Sequence, residues 1–272
     1  MRRIHLFEFT DLPWYPQVFR RIQTDYLQFV ATLGSGHKNL IPLFVKAMQH
    51  AGTTEIVDLC SGGSGPWIRL QEHFSQAGLS VTIKLTDKYP NPDAIQKWAG
   101  KSSEGIEYIP EPVDAMNVPG HLKGMRTLFE GFHHFRPEEA RSILRDAAKK
   151  RVPIGIFEAS LVPPSGPILL LLSPVITFLN YLIITPFIKP RTLSRFFWTY
   201  LIPIVPLTTC WDGVISLLRV YSVEELRELT QPLQGNNYIW EAGQASTGTP
   251  IFAFTYLIGY PASRSQEEAD KK

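Results

Sequence analysis

The chain has 272 residues, 44% of them hydrophobic and 12% aromatic, enough apolar matter for one large core without covalent staples. Its two cysteines, Cys60 and Cys210, are too few and too separated for a disulfide framework or a zinc site, which fits a reducing compartment. A net charge of +2 gives no electrostatic case for nucleic acid, and no metal site is expected.

The opening, Met1-Arg-Arg-Ile-His-Leu-Phe-Glu-Phe, has no long apolar run and carries Glu8 and Asp11 early. It is a poor signal peptide, so a cytoplasmic location is expected. The Pro-flanked stretch 11–16, with Trp14 and Tyr15, reads as an aromatic anchor ahead of a gate. Val18, Ile22, Tyr26, Phe29 and Val30 recur at helical spacing, and a second helix is predicted over 39–49. Residues 1–50 are therefore expected to form a helical cap over whatever cleft follows.

The cleft is signalled by Glu55-Ile-Val-Asp-Leu-Cys-Ser-Gly-Gly-Ser-Gly-Pro66. A short strand ends on Asp58 and enters a turn whose glycines let the backbone approach a ligand. A second strand over 81–86 ends on Asp87, and the order strand, Gly turn, helix, strand, acid belongs to a nucleotide-type cofactor site. An acid ahead of the turn would repel a pyrophosphate, and Gly-x-Gly-x-x-Gly is missing, which disfavours a nicotinamide dehydrogenase.

Further elements follow in order. A third strand is predicted at 106–110, a fourth over 127–135 with a trailing His133-His134, a fifth at 154–159 and a last over 250–259. Pro137 and the acids after it, with lysines at the far end, give good helix-terminus chemistry. Ser222 with Glu225 forms a capping box for a helix near the end.

The segment around Asp58, Cys60, Gly62, Gly63 and Gly65 resembles motif I of the class I S-adenosylmethionine-dependent methyltransferases. Cys60 and Ser64 stand where that motif has glycines. The resemblance implies an α/β, doubly wound Rossmann-like sheet, mostly parallel with an antiparallel last strand, and S-adenosyl-L-methionine as cofactor. By the same resemblance Asp58, Cys60, Gly62, Gly63, Asp87, Lys88, Asp114, Ala115 and Glu130 line the cofactor. Asp87 would hold the ribose hydroxyls and Asp114 the adenine amino group. His133 and His134 would then lie near the transferred methyl, as a base or merely as cavity wall.

Between the fifth strand and the Ser222 helix lies the unusual part. From 167 to 188 no residue is charged, about the length that spans a bilayer. Lys189, Arg191 and Arg195 follow, and then a second apolar run broken by Pro203 and Pro206. Both flanks belong to one sheet, so an even number of crossings is required. A two-crossing hairpin would put the basic loop on the far side, against the usual charge bias. The readings kept are a helical lid over an apolar pocket and a monotopic dip into one leaflet through 167–210. Either points to a hydrophobic small-molecule or lipid acceptor and a peripheral membrane location at most. Asp212 and Arg219, in apolar surroundings, should want partners; Asp212 is the leading non-cofactor candidate, or else the two pair as a lock.

The expected units are a cap at 1–50, a catalytic domain at 51–160 and 220–261, an apolar insertion at 161–219 and a polar, frayed tail at 262–272. Two functions stay open: methyl transfer to a hydrophobic acceptor, or a methyltransferase-fold protein without catalysis that acts in binding or assembly at a membrane. The altered glycines favour the second.

Overall fold

A computed structural model of the chain describes residues 3–34, 36–100, 105–162, 166–235 and 237–262. The strands are short apolar runs whose alternate residues enter opposite layers, as β1 (Glu55–Asp58) illustrates: Ile56 joins one core cluster and Val57 the other. With β2 (Thr82–Leu85), β3 (Ile106–Tyr108), β4 (Met125–Phe129), β5 (Ile154–Leu161), β6 (Tyr238–Ser246) and β7 (Phe252–Pro261) it forms a seven-stranded sheet in the order β3-β2-β1-β4-β5-β7-β6. The first five strands pair in parallel, and β7 runs antiparallel between β5 and β6. The fold is thus the doubly wound sheet with a reversed last strand that the sequence implies. The order reverses between β1 and β4, which puts the ligand crevice at the carboxyl ends of those strands.

One face is covered by α2 (Ile41–Ala51), α3 (Trp67–Gln76) and α4 (Pro92–Trp98), the other by α5 (Pro137–Lys149) and α9 (Val223–Thr230). On the first face Phe44 stacks on Phe157 at 5.0 Å, and Phe129 meets Trp67 edge-on at 5.4 Å. Such ring pairs add about 0.5–1.5 kcal/mol each beyond their buried area. Here the structure corrects the sequence reading. The helix predicted at 39–49 is α2, and it packs on the sheet as a layer rather than on the cleft as a cap, because Phe44, Ala47 and Met48 face the strands. The strand β6 was not foreseen at all.

A third cluster stands apart from the sheet. It joins α1 (Gln17–Leu33), α6 (Gly166–Ile184) and α8 (Ile204–Arg219), with the short α7 (Leu193–Phe196) between the last two. Tyr26 stacks on Tyr181 at 4.1 Å, and Tyr15 is buried with its hydroxyl 2.7 Å from Thr208 Oγ1. Tyr15 is therefore the anchor of the 11–16 stretch, while Trp14 is exposed. The tail past Ala262 lies outside the described residues.

Candidate active site

The turn after β1 is built around a buried acid. Asp58 Oδ1 accepts from Thr127 Oγ1 at 2.7 Å and Oδ2 from Ser61 Oγ at 2.6 Å, tying the turn to β4. Burial pushes the Asp58 carboxyl up to about 7. Cys60 (φ 59°), Gly62 (50°), Ser64 (102°) and Gly65 (48°) all take left-handed backbone. A non-glycine residue there costs on the order of 1 kcal/mol. Ser64 offsets its cost with a bond: it is fully buried and accepts from Gln28 Nε2 at 2.7 Å, fastening the turn to α1. A Cβ on Gly63 would come within 2.9 Å of Thr24 Cγ2, so glycine there lets α1 lie directly on the turn. α1 is the cap.

The second acid faces the same turn. Asp87 Oδ2 accepts from the Gly62 N–H at 2.9 Å and Oδ1 from the Tyr89 N–H at 2.8 Å; burial raises its pKa. Lys88 Nζ pairs with Asp114 Oδ2 at 2.8 Å, and that bond holds the Asp114 carboxyl below its usual range. Ala115, next to it, is buried. The Tyr108 hydroxyl donates to Gly62 O at 3.2 Å and accepts from the Asn91 N–H at 3.2 Å, so the turn is also held from β3. Half-buried Cys60 lies where these elements meet. Burial raises its thiol pKa, and the charges of Asp87, Asp58, Asp114 and Glu158 add to the effect.

A second polar centre sits at the ends of β4 and β5. Glu130 (φ 48°) is exposed at the rim and accepts from the Ala159 N–H at 2.8 Å. The fourth strand ends earlier than predicted, at Phe129, and His133 and His134 follow it on a 3-10 turn, Phe132–His134. His133 is buried, with Nδ1 2.5 Å from Glu158 Oε2, while Glu158 Oε1 accepts from the Phe132 N–H at 2.6 Å. Burial pushes Glu158 up to about 7 and His133 down to about 3, so each is driven toward its neutral form. His133 Nε2 has no hydrogen-bond partner among the described residues and lies 3.6 Å from Glu8 Oε1. His134 repeats the pattern, with Nδ1 2.8 Å from Asp11 Oδ1 and Nε2 3.8 Å from Glu8 Oε2. Arg219 Nη1 donates to Glu8 Oε1 at 3.0 Å and to Asp11 Oδ2 at 2.7 Å. Burial raises Glu8 to about 7.

Asp212 stands elsewhere. Its Oδ1 accepts from the Phe9 N–H at 2.6 Å, and its Oδ2 from the Thr10 N–H at 3.3 Å and Gln23 Nε2 at 2.9 Å. Both oxygens are committed to holding the N-terminal segment against α1. Asp212 thereby anchors the segment that carries Glu8 and Asp11. The alternative kept open, a lock between Asp212 and Arg219, does not form; Arg219 pairs with Glu8 and Asp11 instead.

Glu8, Asp11 and Arg3 escaped the sequence reading as site residues. Arg3 Nη2 donates to His133 O at 3.0 Å and Phe135 O at 2.8 Å, fastening the chain's start to the histidine turn. The one available signal was Glu8 itself, a carboxylate set between Phe7 and Phe9.

No protein-family model matches the chain, and no curated protein matches it. Solved structures do. Human N-acetylserotonin methyltransferase in complex with SAM is 13% identical with a TM-score of 0.48, covering 93% of this chain and 61% of that one. TnmH is 14% identical (TM-score 0.45), covering 81% of this chain and 54% of its own, so the chain spans about half that protein's length. Magnesium protoporphyrin IX methyltransferase from Synechocystis PCC 6803 with bound SAH is 14% identical (TM-score 0.40), covering 82% and 83%.

Proposed function

We propose that the chain transfers the methyl group of S-adenosyl-L-methionine to a hydrophobic small-molecule or lipid-like acceptor. The observation that supports this best is that Asp58, through Ser61, and Asp87, through the Gly62 amide, brace one left-handed Gly turn at the switch point of the sheet, with Asp114 held beside them by Lys88. A crevice edged by carboxylates suits a cationic adenosyl ligand and opposes a polyphosphate. When bound, the cofactor supplies an electrophilic methyl group on a sulfonium.

The chain's own residues do the rest. Asp87, kept in place by the Gly62 and Tyr89 amides, offers its remaining lone pairs to ribose hydroxyls. Asp114, fixed by Lys88 and the Met116 N–H, stands at the adenine end. In-line displacement mainly needs alignment and exclusion of water, which α1 over the turn provides. The proton of a hydroxyl or amine acceptor passes to the Glu8, His133 and His134 cluster, held from behind by Glu158 and Asp11.

The acceptor class follows from the insertion. Tyr181 is the buried residue of α6, while Leu171 (79% exposed), Val175, Leu179 and Ile183 face outward. The helix reaching Phe187 is long and apolar enough to cross a membrane, and little of it is buried. The following pair, Leu193–Leu201 and Ile204–Arg219, bends by 74° and would not cross straight. No acid occurs between Glu158 and Asp212. Arg195 turns inward to Asp25, which leaves Lys189 and Arg191 as the exposed basic charges. An apolar face edged by two cations suits a dip into one anionic leaflet, so of the two earlier readings we favour membrane contact through 167–210.

The rival reading, a methyltransferase-fold protein without catalysis, draws on Cys60 and Ser64 at the glycine positions. Calorimetry with S-adenosylhomocysteine separates the two. A saturable site, weakened roughly 10- to 100-fold in Asp87→Ala, is expected. A flat titration of the unmutated protein would favour the rival. Incubating a lipid extract with radiolabelled cofactor then reveals the acceptor through its labelled product.

A further inference from the structure

We infer that Glu8, His133 and His134 form a binding site for one divalent transition-metal cation of the zinc, cobalt or nickel type. Their donor atoms all lie within 4.8 Å of one another, with His133 Nε2 3.6 Å and His134 Nε2 3.8 Å from the two Glu8 oxygens. A tetrahedral ion with bonds of about 2.0–2.1 Å spaces its donors about 3.3 Å apart, so donors as much as 4.8 Å apart would draw in by up to about 1.5 Å on binding.

Three further features fit a cation. Each imidazole has its Nδ1 against a carboxylate, His133 on Glu158 and His134 on Asp11. That is the arrangement that fixes the tautomer and aims a lone pair from Nε2 at a metal. His133 Nε2 is buried with no hydrogen-bond partner among the described residues, a costly state that ligation would relieve. The charges also leave room. Glu8, Asp11 and Glu158 contribute three carboxylates, against Arg219 on Glu8 and Asp11 and Arg3 on neighbouring carbonyls. Arg219 bonds Glu8 through Oε1, leaving Oε2 to the ion. Two imidazoles and one carboxylate select this class over magnesium or calcium, which prefer all-oxygen shells.

An ion held here takes the lone pairs that proton transfer at the same cluster would use, so the two roles are alternatives; the test of the ion needs no cofactor and does not depend on methyl transfer. The full chain, stripped with a chelator and dialysed, is titrated with Co2+ and followed by visible absorption and elemental analysis. About one bound equivalent with ligand-field bands is expected, and the loaded protein should show paramagnetically shifted ring protons from two histidines. Glu8→Gln and His134→Gln should each weaken binding at least 10-fold. Glu158→Gln, which meets the His133 ring at Nδ1 and not at Nε2, should cost roughly 10- to 100-fold. Circular dichroism of each variant identifies any that fail to fold. Binding well below one equivalent overturns the assignment, as does the absence of shifted histidine signals. Unchanged affinity in folded Glu8→Gln and His134→Gln overturns it as well.

Discussion

The carboxyl edge of the sheet and the α6–α8 insertion solve opposite problems. At the edge, polar groups are buried and nearly every one is spoken for: Asp58 by Ser61 and Thr127, Asp87 by two amides, Glu158 by His133 and Phe132. In the insertion, apolar groups are exposed and almost no charge is present. A buried carboxylate costs several kcal/mol unless paired, and an exposed leucine forgoes about 1.5–3 kcal/mol of transfer energy. Neither region is what stability alone would choose, so each is read as serving a ligand. The edge is preorganised for a small charged one, and the insertion is left unsatisfied for a broad apolar one.

The sharpest way to break this contrast is at the histidine turn. His133→Gln should lower methyl transfer by roughly 10²–10⁴-fold while S-adenosylhomocysteine binding, read by calorimetry, stays near the unmutated value. Equal losses in both would make His133 a structural residue of the cofactor crevice.

The insertion is tested next. Placing aspartates at Leu171 and Leu179 together should reduce co-sedimentation with vesicles of anionic lipid by at least 10-fold, without loss of cofactor binding. Lys189→Glu should have a smaller effect, about 1 kcal/mol per basic charge near the surface, and added salt should weaken the unmutated protein in the same direction. Vesicles that leave both proteins in the supernatant would restore the lid reading.

The gentlest test concerns the buried acids. A carboxyl whose pKa rises on folding contributes stability below its unfolded value near 4, and that contribution is lost as pH climbs through the folded value. Asp58, at about 7, therefore costs stability between about pH 4 and 7, at up to 1.4 kcal/mol per pH unit. Asp58→Asn can keep the Ser61 and Thr127 contacts without the ionisation. Its thermal midpoint should fall less steeply with pH over that window, with the remaining slope set by Glu8, Glu130 and Glu158 in the same direction and opposed by His133. An unchanged slope would show that Asp58 is ionised in the folded state.

Legibility followed local signal. The strand before Asp58 and the one before Asp87 announce themselves as apolar runs closed by an acid, and Ser222 with Glu225 forms the expected capping box. β6 was hidden because Trp240-Glu-Ala-Gly-Gln mixes residue types on a half-buried edge strand with no clean alternation. The helix α2 was legible as a helix but not in its place, since amphipathicity tells that a face is buried and not against what.

What the amino-acid order determined by itself is the succession of strands, turns and helices, because each is set by neighbours a few residues apart. It also set the acid-free apolar stretch that marks the insertion. Only the tertiary structure decided that Glu8 lies beside His133 and His134, that Arg195 turns inward to Asp25, and that Asp212 holds the N-terminal segment. Those contacts join positions separated by more than a hundred residues, and they arise because desolvated charges must find partners wherever packing brings them together.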